Sequence, residues 1–318
     1  MSSVVHSFFT TGDTEGHRVD LVIVYNRLTS FYVIDSYIRI CLGRFLLVIK
    51  FGLLLFLSIF SAFSCLTLSA QESYFRNWFT RVKETQVAQP HWITPLFTTT
   101  PRLEEEFRSD IVWTPVAGGT NMNYGAGKGL ELIPTKQTEI ILGVPPYQVP
   151  LKGAEGFGNI PLLLKYRFLT GNEEHGNYIV TAFLGGSIPY GRFASEYASV
   201  TPTIAFGKGF HQFDFQSTLG WTIPTGGRQK SGTPVAYNTA FQYHVLHKLW
   251  PEVEVNATFW PNGRLDGDKQ VFLSPGLVAG RFHLWGRLGL SIGAGEQIAV
   301  THFHQFNHAK TLSVRFPF

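Results

Sequence analysis

From residue 101 to residue 318, apolar side chains recur at every second position in run after run. In FDFQSTLGWTIP, Phe213, Phe215, Leu219, Trp221 and Ile223 share one side of an extended chain, while Asp214, Gln216, Thr218 and Thr222 share the other. PEVEVNATFW sets Val253, Val255, Ala257 and Phe259 against Glu252, Glu254, Asn256 and Thr258. NIPLLLKYRF sets Ile160, Leu162, Leu164, Tyr166 and Phe168 against Lys165 and Arg167, and HLWGRLGLSI sets Leu284, Leu288, Leu290 and Ile292 against Arg287 and Ser291. A period of two marks a strand whose faces meet different surroundings, and no helical spacing is sustained here. Turn-rich pieces (TGNEEHGN, PTGGRQKSGTP, PNGRLDGDK, FNHAK) separate the runs. The pattern predicts about twelve strands, at 101–113, 122–133, 136–145, 159–170, 177–189, 198–208, 210–224, 234–248, 250–261, 269–280, 283–294 and 309–318. The piece 295–305 either extends the eleventh strand or forms a loop.

Alternation suits a soluble β-sandwich as well as a barrel in lipid. Three features favour the barrel. The strands run to 9–15 residues, and a tilted strand needs roughly 9–11 to cross a bilayer. Charges sit mid-strand on the polar faces (Arg167, Glu254, Arg287), as a wet interior allows. Trp221, Trp260, Trp285, Tyr178, Tyr190 and Phe318 fall near strand ends, where interfacial girdles form. In hydrocarbon every backbone N–H and C=O needs an internal partner, so a sheet there must close on itself. The expected fold is all-β: a single antiparallel transmembrane β-barrel of about twelve strands over 101–318, in a bacterial outer membrane.

Ahead of it, Arg44 and Lys50 precede an uncharged apolar stretch, Phe51 to Leu68, that ends in Leu68-Ser69-Ala70 before Gln71. This predicts a secretory signal peptide cleaved between Ala70 and Gln71, with a membrane anchor as the alternative. Residues 1–70 are thus expected to be a leader and signal peptide, and 71–100, rich in Pro and Thr, a periplasmic arm able to plug the lumen. Both cysteines, Cys41 and Cys65, lie in the first 70 residues, which excludes a disulfide framework and a thiolate metal site from the barrel. The chain is 44% hydrophobic and 15% charged, against about 25% charged for a soluble domain. Its net charge of +4 is spread out, and no basic cluster points to nucleic acid.

GFGNIPLLLKYRFLTG (156–171), GGSIPYGRF (185–193) and WTIPTGG (221–227) resemble the MetA-pathway phenol-degradation family of outer-membrane transporters. Its members show Gly-x-Gly-Asp, a strand ending in Lys-Tyr-Arg, and a later Leu-Pro-Thr-Gly; here Asn159 replaces the Asp, and Ile223-Pro224-Thr225-Gly226 replaces the Leu form. The resemblance spans residues 100 to 318. It implies a barrel of about twelve strands that passes small, aromatic or hydrophobic molecules.

The inward faces are expected to carry Arg102, Glu104, Glu106, Arg108, Lys165, Arg167, Asp214, Glu252, Glu254, Arg287 and Arg315, so that charges of both signs line a pore. Glu105, one residue out of phase, is expected near an interface or below the membrane. Twelve strands lie between filled eight-stranded barrels and open sixteen-stranded porins, which predicts a constricted or plugged channel. The closing row Leu312, Val314, Phe316 and Phe318 matches the terminal strand read by the barrel-assembly machinery, and Pro317 removes one donor from its ladder. THFHQFNH offers His302, His304 and His308, which read as polar wall or interface groups rather than metal ligands. GAGKG (125–129) lacks P-loop spacing and reads as a flexible or bulged piece of strand. Ser274 and His283 could be imagined as a lipid-hydrolase pair, but there is no Gly-x-Ser-x-Gly elbow. No enzyme and no cofactor is predicted. The expected function is a passive channel for a small-molecule solute, with a non-conducting envelope scaffold as the main alternative and a lipid hydrolase as the lesser one.

Overall fold

The computed structural model describes residues 74–318; the predicted signal peptide, its Ala70–Gln71 junction, Cys41 and Cys65 lie outside the described residues. Residues Asn77–Phe318 form one compact unit. Helix α1 (Trp78–Val87) opens it. Strands β1 (Glu106–Val116), β2 (Gly119–Gly125), β3 (Gly129–Thr135), β4 (Thr138–Gly143), β5 (Tyr147–Val149), β6 (Gly156–Phe157), β7 (Ile160–Gly171) and β8 (Tyr178–Ile188) follow. They continue as β9 (Ser199–Phe210), β10 (Phe213–Trp221), β11 (Ile223–Pro224), β12 (Val235–Tyr243), β13 (Leu249–Phe259), β14 (Lys269–Trp285), β15 (Leu288–Ala299) and β16 (His308–Pro317). A four-residue helix α2 (Arg228–Ser231) lies between β11 and β12.

Neighbouring strands pair antiparallel, and β16 returns to β1 with register Glu106↔Pro317 to Trp113↔Lys310. Four staves are interrupted once each, β2 with β3, β4 with β5, β6 with β7 and β10 with β11, so sixteen segments make a closed barrel of twelve staves. Closure leaves no unpaired sheet edge, which is what hydrocarbon demands of a β-structure. Among the described residues no helix is long and apolar enough to cross a membrane.

The barrel is inside-out relative to a soluble core. Ile204 is 48% exposed and Phe241 42%, whereas Gln216, Glu254 and Lys165 are fully buried. Along β10 the odd positions Phe213, Leu219 and Trp221 face outward, and Asp214, Gln216 and Thr218 face inward, as the alternation predicts. An arginine on the outer face would have to sit in hydrocarbon, at about 2–4 kcal/mol near the midplane. Ile204→Arg is therefore expected to lose about that much folding stability in lipid vesicles, measured by urea titration and heat-modifiable gel migration. A variant as stable as wild type would show that this face is not in lipid.

Turns at 136–137, 172–177, 211–212, 244–248 and 286–287 sit at one end, and the longer loops 189–198, 225–234, 260–268 and 300–307 at the other. Gly286 (φ 56°) supplies the left-handed residue that a two-residue hairpin needs. Short turns face the periplasm and long loops the outside in barrels of this kind.

Several boundaries differ from the sequence expectation. The tenth stave runs to Trp285, not 280, and β15 starts at Leu288, because register shifts between Ala279 and Phe282 and again before Trp285 extend the hairpin. The piece 295–305 divides, with β15 ending at Ala299. The first strand starts at Glu106 rather than 101, where its ladder with β16 begins at the pair Glu106↔Pro317. Pro317 has no amide to donate, and the next amide, Phe318, donates to the Glu105 carbonyl at 3.0 Å. The expected aromatic girdle holds only in part: Trp221, Trp285, Tyr178 and Tyr190 are exposed, but Trp260 is buried edge-on against Phe303 at 5.6 Å.

Candidate functional site

The interior is occupied by the chain's own residues 88–105. This stretch, AQPHWITPLFTTTPRLEE, carries prolines at 90, 95 and 101, which lack an amide donor and deny it a helix. It runs without regular structure, bending at 96–98 and 101–102, outside the sheet, so its backbone groups must find partners elsewhere. The wall supplies most of them one side chain at a time. Arg281 donates to the Trp92 carbonyl, which also accepts from Arg102 of the arm itself. Gln216 donates to the Ile93 carbonyl at 2.9 Å, Arg315 to those of Thr94 and Pro95, and Arg108 to those of Pro95 and Leu96. The amides go to carboxylates: Leu96 to Glu252 at 3.0 Å, and Phe97 and Thr98 to the two oxygens of Glu254. Charge-assisted bonds of this kind are among the stronger ones in proteins.

An apolar anchor adds to these bonds. Leu96 packs with Ile93, Trp250 and Val278. It enters a socket formed by Gly276, Gly293 and Gly295, where an added Cβ would come within 2.5–2.7 Å of its methyl carbons. The base of the arm closes on itself, since the Gln89 side chain donates to the Leu103 carbonyl at 2.8 Å and accepts its amide at 3.0 Å.

Helix α1 lies at the turn end. Its Val82 packs with Leu103 and Ile133, Glu84 pairs with Lys136 at 2.7 Å, and the Arg287 guanidinium stacks on Phe79 at 4.4 Å. At the same end the His91 amide donates to Glu173 at 2.7 Å, and its ring lies 2.8 Å from the other carboxylate oxygen. Partial burial alone would raise the Glu173 pKa; the His91 amide and ring outweigh it and hold the carboxyl below the ordinary glutamate range. A carboxyl depressed by folding adds stability above its unfolded pKa, about 4.3, and that stability is lost as pH falls through the lower folded value. The His91 amide is therefore expected to lose hydrogen-exchange protection below about pH 4 in the wild-type chain, with no such step in Glu173→Gln. Equal protection of the wild type at neutral and acid pH would count against this latch.

The inward charges pair with one another as well as with the arm. Arg108 holds Asp110 through two bonds, at 3.0 and 2.8 Å. Lys165 pairs with Glu139 at 2.9 Å and donates to the Arg102 carbonyl, and Arg102 pairs with Glu104 at 2.6 Å. Arg167 donates to the Thr85 carbonyl and to Gln89. Glu106, Arg108, Lys165, Arg167, Asp214, Glu252, Glu254 and Arg315 are all buried inside the strands. Arg102 and Glu104 are corrected: they belong to the arm, not to a wall strand, because pairing with β16 begins only at Glu106. Arg287 is corrected too: it lies in the turn 286–287, exposed, where the longer β14 has displaced it from mid-strand. Glu105 accepts from Trp78 at 2.6 Å and from the Ile133 amide at 2.7 Å, beneath α1. Leu312, Val314 and Phe316 face outward along β16, between inward Thr311, Ser313 and Arg315.

Sequence reasoning missed Asp110, Glu131 and Glu139, although each continues the inward parity of its strand. His304 bonds the Thr301 carbonyl and Asn307, and His308 bonds Glu296 at 2.8 Å. Ser274 faces inward and donates to Asn256, while His283 lies nine residues further along the same strand. At 3.3 Å per residue that is roughly 30 Å, far beyond hydrolase geometry.

Above the arm the lumen stays open. A vestibule of about 800 Å³ at the loop end is lined by amide and aromatic side chains, among them Asn121, Asn123, Gln148, Gln297, Gln305 and Phe306. Val112 and Gln297 also line a second cavity of about 250 Å³, whose floor is Leu96 and Phe97 of the arm. Lys128 joins that cavity to a third of about 200 Å³, bounded by Arg108 and Glu131 and by Ile141, Pro161, Leu162 and Leu163. The third cavity sits where the second, third and fourth staves are interrupted.

No protein-family model matches the chain, and no curated protein matches it. Among solved structures, the COG4313 outer membrane channel from Pseudomonas putida F1 aligns with a TM-score of 0.50 at 12% identity, over 71% of this chain and 100% of that one. OmpT, an outer membrane protein of Vibrio cholerae, aligns with a TM-score of 0.29 at 11% identity, over 74% of this chain and 73% of that one. At such identity the first match shows a shared fold, and the second carries no argument. The chain is a closed β-barrel with an apolar outer face, and it shares its fold with that outer membrane channel.

Proposed function

We propose that the barrel is a passive channel for small, apolar or aromatic solutes, closed at rest by its own arm. One observation carries this reading: cavities that share lining residues follow one another from the loop end down to the arm, at Leu96 and Phe97 in the second and Thr94, Thr99 and Thr100 in the third. The stopper has no regular secondary structure and is seated by side-chain bonds that can be exchanged for water. A barrel that served as an anchor would have no use for a stoppered passage. The apolar solute class is supported by the cavity lined by Ile141, Pro161, Leu162 and Leu163, and by the motif resemblance to the MetA-pathway phenol-degradation family. The Pseudomonas putida barrel that shares the fold is an outer membrane channel. The outward row Leu312, Val314, Phe316 and Phe318 is what the barrel-assembly machinery would read.

Planar-bilayer recording of the purified full chain tests the reading, with folding verified by heat-modifiable migration. Brief single-channel steps are expected. Silent bilayers from folded protein would favour the scaffold alternative. Hydrolysis of a lipid ester that disappears on replacing one serine would favour the hydrolase.

A further inference from the structure

Among the described residues, the inward cations of this barrel are engaged with one exception. Arg102, Arg108 and Lys165 have carboxylate partners, and Arg167 and Arg315 are bound to carbonyls. Lys128, by contrast, makes no ion pair and no side-chain hydrogen bond among the described residues. Its backbone is pinned. The residues Gly125, Ala126 and Gly127 all have positive φ, the Lys128 amide donates to the Gly125 carbonyl at 2.9 Å, and its carbonyl accepts the Val144 amide at 2.8 Å. The side chain therefore stands at the junction of the second and third cavities.

Two further observations say what it meets there. Across the second cavity lies Thr311, 4% exposed, whose hydroxyl oxygen has no hydrogen-bond partner. The third cavity continues past Lys128 onto Ile141, Pro161, Leu162 and Leu163. Asp110, which also lines the second cavity, has both oxygens taken by Arg108, and Glu131 lines the third without pairing to Lys128. A cation and a free hydroxyl beside an apolar recess fit one kind of molecule: a charged oxygen-bearing head on a short apolar body. We propose that Lys128 is the head-group site for a small apolar monocarboxylate on its way through the lumen. This rests on the channel reading and names its solute more narrowly.

The test uses the full chain in lipid nanodiscs, with phenylacetate and its neutral isostere phenylacetamide as probes, titrated by saturation-transfer NMR. Phenylacetate is expected to bind saturably, roughly tenfold or more weakly in Lys128→Met and within a few-fold of wild type in Lys128→Arg. Thr311→Val, which keeps the lysine, is expected to weaken it severalfold. Phenylacetamide should bind all four proteins alike. No saturable phenylacetate binding to wild type, an unchanged Lys128→Met, or an equal loss for acid and amide would each overturn the site. Conducting bilayers combined with any of those results would remove the site and leave the channel; silent bilayers would remove the channel whatever binds.

Discussion

Deleting residues 77–100 is expected to raise single-channel conductance severalfold and to convert brief openings into long ones. That stretch fills the lumen between α1 and Leu96, and the wall does not depend on it for pairing. Strand β1 starts at Glu106, and Glu105, which is kept, still accepts from the Ile133 and Phe318 amides. The deletion strips Glu252, Glu254 and Arg315 of their arm partners. In a dry core an abandoned charge costs several kcal/mol. Here water follows the arm out, so the charges become solvated and the barrel should still form. The lipid face and the strand ladder are untouched. A truncated barrel that folds yet conducts no better than the full chain would show that the arm does not obstruct the passage.

The second large effect belongs to two carboxylates on β13. Glu254 receives the amides of both Phe97 and Thr98, and Glu252 receives that of Leu96 together with the Gln242 side chain. Leaving a buried amide without its acceptor costs about 1–3 kcal/mol. Replacing both residues by Gln keeps the shape but turns an N–H donor toward the amides. The arm is expected to lose about 3 kcal/mol of seating energy, which corresponds to roughly a hundredfold more of the unseated form. Open probability in bilayers reads it directly, and it should rise while the conductance of the open state stays that of the deletion. A double variant with unchanged open probability would place the seating energy elsewhere, with the Leu96 socket as the remaining candidate.

How far the sequence carried can be judged from these same residues. The inward and outward faces of β7, β10 and β13 follow from alternation alone, because a pleated strand between lipid and water has no other way to satisfy both. The break at GAGKG was legible as an irregularity in a strand because three glycines crowd it; β2 ends at Gly125 and β3 begins at Gly129. The position of Arg102 and Glu104 was not legible. RLEEEFR keeps its period of two straight through residue 105, and periodicity records an extended backbone without saying whether a neighbouring strand is there to pair with it. Arg287 was misplaced for a related reason: a bulge in β14 moves the hairpin by several residues, and its cause is local register rather than composition. The seat of the arm depends on contacts 156 and 157 residues apart in the chain, which no local pattern reports. What the sequence could announce was supply: an arm short of amide donors at its prolines, and a lumen rich in arginine and glutamate.

Adjacent side chains of one strand live in different solvents, and the passage, the arm and the solute site all presuppose it. Nitroxide labels placed singly at positions 213 to 221 of β10, in the folded chain in vesicles, test this by their collision rates with oxygen and with a water-soluble nickel complex. Oxygen collisions should peak at 213, 215, 219 and 221 and fall at 214, 216 and 218, with the two sets differing along the whole strand. Equal rates at odd and even positions, or odd positions that favour the nickel complex, would contradict a wall between lipid and water.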